Sequence, residues 1–310
     1  IALILLLLSI LTPAFNILHP LAFGTLASEY TITSKDPPST SIVLYQNFDN
    51  ETAGNVPKNW NIMAPWFGSF TVDQTVYYSK SGKSAKVLDN STKGSPSPYR
   101  AFPEQAGTIV VTFAIRLTNN TGNNTGLIVY VDDGNFVGSN IIFKNDSTIQ
   151  YRNGDGKFIC LRNSYLPNRW YRIKMIMNIP RNVYNIHIDD HLEAINASFT
   201  GTCSQIRRII INGTSPNLQP MGYIDDIEVR RCIEIPEDFP TIQKGVDAAS
   251  PGDIVFVKKR VYFENVTITK KVWLVGEDMN TTVIDGRFIK TEGRKSNGVS
   301  VICSNVTIYG

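Results

Sequence analysis

The sequence predicts a mainly β chain, a sandwich followed by a stacked solenoid, and three observations carry that prediction. Between Ile42 and Arg231 short runs of alternating apolar residues recur, among them SIVLYQNF, GTIVVTFAIRL, WYRIKMIMNI and YIDDIEVRR, with turn formers between them. No amphipathic helical pattern of useful length interrupts those runs. After Cys232 the texture changes to strand-like triplets and quartets that return every 20 residues or so, roughly the repeat of a stacked solenoid.

The first element is an apolar leader. IALILLLLSIL runs to Pro13, a second apolar stretch ends at Phe23, and Thr25-Leu26-Ala27 offers the small residues a signal peptidase reads. Residues 1–27 are expected to be a signal peptide, or an uncleaved membrane anchor that includes Ile17 to Phe23. The charged region that normally precedes such a core is missing, which reads as a fragment. Residues 28–41 are polar, hold Pro37-Pro38 and read as a linker.

Residues 42–231 follow as the sandwich. In a half-buried strand successive side chains point to opposite faces, so VTFAIRL or YRIKMIM places one row in the core and the other toward solvent. The runs GSFTVDQTVYY, TGLIVYVDD, SNIIFK, VYNIHID and QIRRIIING complete the strands read from pattern. FDNETAGNVPKNW, NRWYRIKMIMNIPRNVYNIHIDDHLEA and GYIDDIEV resemble the concanavalin A-like, laminin-G-like jelly-roll domains of exported proteins. That resemblance implies a jelly-roll β-sandwich whose first and last strands pair at its edge, and whose middle segment is a hairpin.

Residues 232–310 read as the solenoid. Thr241 to Ala249 is expected to be a short helix with Ile242, Val246 and Ala249 on one face, stopped by Pro251-Gly252-Asp253. IVFV, WLVG and VSVI form one series of strands, and VTI, TVIDG and VTIYG another. Gly276 and Gly286 fall at strand ends, where tight corners are needed. The stretch IEIPEDFPTIQKGVDAASPGDIVFVKKRVYFENVTITKKVWLVGEDMNTTVIDG is similar to the opening of pectin-lyase-like right-handed parallel β-helices, of the pectinesterase and periplasmic copper-accessory type. The resemblance implies a truncated right-handed parallel β-helix with a short N-terminal capping helix, incomplete at its C-terminus.

Composition narrows the function. Net charge is only +3 and the basic residues are scattered singly, so no basic stripe marks a nucleic-acid surface. Asn50, Asn90, Asn119, Asn123, Asn145, Asn196, Asn212, Asn265, Asn280 and Asn305 each open an N-x-S/T sequon, making them glycosylation candidates on an exported surface. Cys160, Cys203, Cys232 and Cys303 lack C-x-x-C spacing, which argues against a zinc ribbon. Cys160 with Cys203 is the preferred disulfide among three possible pairings, with buried free thiols the alternative.

Candidate chemistry is sparse. Asp132-Asp133 and Asp189-Asp190 read as turns, because neighbours on a strand face opposite ways and cannot serve one acid-base site. Asp225 and Asp226 are the pair best placed for a metal, and calcium, which takes oxygen ligands, is the ion they would hold; no cofactor is required. His187 and His191 would flank a hairpin turn and meet as a cross-strand pair. Soft ligands for copper handling are few. Trp66 with Phe67 is the candidate carbohydrate-binding pair, whereas Trp170 and Trp273 lie in apolar runs and read as core.

The expectation is a secreted or cell-surface binding and structural protein. Its partners would be polysaccharide or other surface proteins, with membrane contact only through residues 1–27 if these are retained. No catalytic residue is identified. The rival expectation is a polysaccharide lyase, esterase or glycosidase whose active site lies on later coils.

Overall fold

The computed structural model describes residues 42–78, 82–89, 91, 93–119, 126–144, 146–213, 221–249, 251–286, 298–304 and 306–309. The leader, the linker, Asn90, Asn123, Asn145 and Asn305 lie outside the described residues. The chain separates into two compact units, one of them Ile42–Arg231 and the other containing Cys232–Gly310. It is mainly β.

In the first unit the strands are β1 (Ile42–Gln46), β2 (Trp60–Ile62), β3 (Gly68–Asp73), β4 (Ser84–Asp89), β5 (Pro98–Gln105), β6 (Thr108–Leu117), β7 (Leu127–Asp132) and β8 (Val137–Phe143). They continue as β9 (Ile149–Arg152), β10 (Phe158–Arg162), β11 (Trp170–Asn178), β12 (Val183–Ile188), β13 (His191–Ser198), β14 (Ile206–Gly213) and β15 (Met221–Arg231). Among the described residues these make an 8-stranded sheet in the order β13-β12-β11-β6-β15-β4-β3, with β1 also on β15, and a 7-stranded sheet in the order β10-β9-β8-β7-β14-β5-β2.

The two sheets face each other across one core, which makes the unit a β-sandwich. Ile109, Val111, Phe113 and Ile115 of β6 and Ile173, Met175 and Met177 of β11 meet Val129 and Val131 of β7 and Ile209 and Ile211 of β14. Every second residue of these strands is inside, as the pleat requires. Burying each such side chain contributes about 1.5–3 kcal/mol.

Three details depart from expectation. The first and last strands do pair, through Leu44 with Val229 and Gln46 with Ile227, yet β15 lies inside its sheet between β6 and β4 and not at the edge. TVYY does not extend β3. Asp73 Oδ1 accepts the Thr75 and Val76 N–H groups at 2.7 and 2.9 Å, and this side-chain capture turns the backbone out of the sheet. Strands β2, β4, β5, β9 and β10 carried no pattern strong enough to read; β5 contains Pro98 and Pro103, and β2 is three residues long.

In the second unit all described strand pairs are parallel. The strands are β16 (Ile233–Ile235), β17 (Ile254–Val257), β18 (Val261–Tyr262), β19 (Val266–Ile268), β20 (Trp273–Gly276), β21 (Val283–Ile284), β22 (Val299–Val301) and β23 (Thr307–Tyr309). They form three ladders, β16-β17-β20-β23, β18-β21 and β19-β22, and the chain visits the three ladders twice in the same order. Val255, Val257, Tyr262, Val266, Ile268, Leu274 and Ile284 line a common interior.

Helix α1 (Ile242–Ala248) sits between β16 and β17 in sequence and adds Ile242 and Val246 to that interior. Thr241 caps its start, accepting the Lys244 N–H at 3.2 Å. Glu264 binds the Ile242 and Gln243 N–H groups with its two oxygens at 2.9 and 3.0 Å. At the other end Lys270 Nζ donates to the Asp247 and Ala249 carbonyls, both at 2.8 Å. A negative group thus meets the positive end of the helix and a positive group the negative end.

Candidate functional site

The site begins at an irregularity in β15. Asp225 pairs with Ala114 and Glu228 with Thr112, so β15 fits one extra residue between the same two rungs of β6. Asp226 takes φ +46, a conformation that Asp tolerates better than most residues. This bulge breaks the alternation that would have sent neighbouring aspartates to opposite faces. Tyr223, Asp225 and Glu228 fall outside the core cluster, while Ile224, Ile227 and Val229 belong to it.

The two carboxyls have different surroundings. Asp225 is 0% exposed; its Oδ2 accepts the Tyr78 N–H at 2.9 Å and its Oδ1 the Asp226 N–H at 2.8 Å. Burial pushes its carboxyl up to about 7 against the pull of those two bonds, and the charges of Asp226 and Asp49 add to the rise. Asp226 is half-buried, and its carboxyl is also raised by burial and by Asp49, with Arg172 opposing.

Beside the bulge lies a cleft of about 120 Å³ lined by Tyr45, Tyr78, Thr112, Arg172, Asp226 and Glu228, among others. Tyr45 is 55% exposed, and Arg172 is exposed. Glu228 is held by Arg230. Tyr78 meets Trp170 edge-on with centroids 5.7 Å apart, and Trp170, Arg116 and Tyr223 stand side by side on β11, β6 and β15. The Arg116 guanidinium lies 5.9 Å from the Tyr223 ring. The next row is Asp225, Ala114 and Arg172, and beyond it stand Glu228, Thr112, Lys174 and His187. Lys174 is buried and bonds Asp190 Oδ1 at 3.1 Å; burial first, then the Lys174 charge, lowers His187 to about 4.

Chemically this face combines flat rings, carboxylate acceptors and guanidinium donors around a shallow depression. That set suits a hydroxylated ligand with apolar ring faces. The sequence had no signal for it beyond aromatic content. Tyr45, Tyr78 and the β11 pair Trp170 and Arg172 come from three different segments, and Trp170, expected in the core, is half-buried on the outer face.

The residues singled out from sequence are dispersed. Trp66 is 73% exposed on the short 3-10 turn Pro65–Phe67, against Phe67 at a centroid distance of 5.8 Å. It precedes Gly68, which pairs with Asp89 toward the Met221 end of β15, away from the bulge. Asp189 and Asp190 form the hairpin turn, with φ +53 and +63. His187 and His191 do not face each other, because the two-residue turn sets Ile188 opposite His191 and His187 opposite Leu192. Asp132 binds Arg208 through both oxygens at 2.8 and 2.9 Å.

The bridge between Cys160 and Cys203 is not made. Both are free thiols: Cys160 is exposed on the edge strand β10, and Cys203 is in the core, its Sγ 3.4 Å from the Phe136 carbonyl. Calcium does not fit the Asp225-Asp226 pair either. It needs about six to eight oxygen ligands, whereas both Asp225 oxygens already accept backbone N–H groups and no group of three or more acidic, His or Cys ligands occurs among the described residues. Of the sequon residues within the described segments, Asn50, Asn119, Asn196 and Asn280 are exposed and Asn212 and Asn265 half-buried.

No protein-family model matches the chain, and no curated protein matches it. Among solved structures it is similar to a sialidase at 14% identity and TM-score 0.52, over 68% of this chain and 20% of that one. A cellulose induced protein follows at 16% identity and TM-score 0.43, over 60% of this chain and 96% of that one. An alginate lyase of polysaccharide lyase family 7 follows at 10% identity and TM-score 0.41, over 55% and 93%. This chain therefore spans only 20% of the length of the sialidase, and at such identity the likeness shows the fold alone, a jelly-roll β-sandwich.

Proposed function

We propose that this chain is an exported, cell-surface or secreted binding protein whose sandwich unit holds polysaccharide on the outer face of its larger sheet. The cleft at the β15 bulge carries the reading: Tyr45 and Tyr78 offer ring faces, while Arg172 and Asp226 offer a donor and an acceptor on opposite signs of charge. Export is supported by the apolar leader and by exposed sequon asparagines. The second unit is the start of a right-handed parallel β-helix, a reading supported by three parallel ladders visited in a fixed order. In that reading α1 closes the open end of the first coil.

A glycan array probed with the full chain tests the binding reading. Retention of polysaccharide that falls at least tenfold in Tyr45→Ala and Arg172→Ala variants, and stays unchanged in Trp66→Ala, is the expected outcome, roughly the loss of one anchoring contact. Binding that depends on Trp66 and not on Tyr45 or Arg172 moves the site to the 3-10 turn.

A further inference from the structure

Residues 74–78, which follow β3, leave their own side of the sheet and reach over the outer face. Asp73 turns the chain out of β3, and Ser84 Oγ donates to the Val76 carbonyl at 2.6 Å where β4 begins. Between those points Tyr78 carries its ring to Trp170 on β11, although β4, β15 and β6 stand between β3 and β11. Such a reach needs a fixed point along the way.

Asp225 supplies it. Its carboxylate holds the main chain of Tyr78 with one oxygen and that of Asp226 with the other, at 2.9 and 2.8 Å. Tyr78 and Asp226 both line the cleft. One fully buried side chain thus ties together two parts of the lining that belong to segments 147 residues apart. Being 0% exposed, Asp225 cannot itself touch a ligand.

Resting on the reading of this cleft as a sugar site, we propose that Asp225 is its positioning residue: it sets the spacing between the Tyr78 ring and the Asp226 carboxylate, and so selects which saccharide edge enters. The loop register is held at this point by a main-chain N–H on a fully buried side-chain acceptor, a bond that is costly to leave unmade. Specificity would then depend on a residue that makes no ligand contact.

The test uses the full chain with two readouts. Tryptophan emission, with Trp170→Phe subtracted to isolate Trp170, reports the Tyr78 contact without any ligand. Asp225→Ala is expected to shift that emission as Tyr78→Ala does, and the double variant to add nothing. Asp225→Asn, which keeps the size and one acceptor oxygen, is expected to give an intermediate shift and serves if the alanine variant does not fold. On the glycan array, Asp225→Asn is expected to bind the retained glycans about tenfold more weakly. A folded Asp225→Asn with wild-type emission, alongside a shifted Tyr78→Ala, overturns the positioning role. Wild-type protein that retains no glycan overturns the sugar reading, and the emission still decides whether Asp225 holds Tyr78.

Discussion

The Gln243 carboxamide pairs with the main chain of Thr267 in both directions, donating to its carbonyl at 3.2 Å and accepting its N–H at 2.6 Å. A side chain on α1 thereby fills the place of a neighbouring strand beside β19. Removing it leaves two main-chain groups to find water. Gln243→Ala is expected to lower stability by about 1–3 kcal/mol, read as a shift in the urea midpoint of the second unit's transition. An unchanged midpoint would mean that solvent replaces the amide without loss.

His187 makes stability depend on pH. It is 2% exposed, and its folded imidazole is lowered from 6.5 to about 4 by burial and by Lys174. Between those values the unfolded chain binds a proton that the folded chain refuses, so the contribution of the neutral ring is present above about pH 6.5 and lost as pH falls toward 4. Relative to His187→Leu, the native protein is expected to lose about 3 kcal/mol across that window. Denaturation curves of both proteins at pH 7 and pH 4.5 check it; parallel losses would contradict the assignment to this ring.

Cys160 and Cys203 differ in access, and alkylation separates them. Burial raises the Cys203 thiol to about 11 and hides it, while Cys160 faces solvent. Under native conditions a maleimide is expected to label Cys160 within minutes and to reach Cys203 and Cys232 only in denaturant. Peptide mass mapping reads the result. Equal labelling of Cys160 and Cys203 would show that the core around Cys203 opens.

Sequon occupancy should follow local geometry. Asn196 is exposed on edge strand β13 at φ +51, its N–H taken by Asn185 Oδ1 at 2.9 Å. Asn212 is half-buried in β14, and its Oδ1 accepts the Ser97 hydroxyl at 3.0 Å. Secreted from a glycosylating host behind that host's own leader, the chain is expected to carry glycan at Asn196 and not at Asn212. Glycopeptide mass spectrometry gives the answer, and the reverse pattern would refute it.

The strands that could be read from sequence are those whose surroundings are simple. TIVVTFAIRL and WYRIKMIMN send every second residue into the core cluster for their whole length, so a regular apolar row is visible. Asp189-Asp190 was legible as a turn because Asp accepts positive φ. The candidate site was not legible. It depends on a bulge that shifts Asp226 by one place, on a side chain, Asp73, that ends a strand its own sequence would continue, and on a buried carboxyl that binds a segment 147 residues away. None of these leaves a periodic trace, since each is a single contact between distant or irregular positions.

The pairing of β15 with β4, β6 and β1 has a consequence for how the protein is made. This inner strand of the larger sheet is the last of its unit to leave the ribosome, and until Arg231 has emerged, β4 and β6 have nothing between them. The pairing of Ile42 with Arg230, 188 residues apart, cannot form before then, and such long-range pairing is slow to close. A nascent chain stalled before Met221 thus lacks the strand that joins β4 to β6 in the finished sheet.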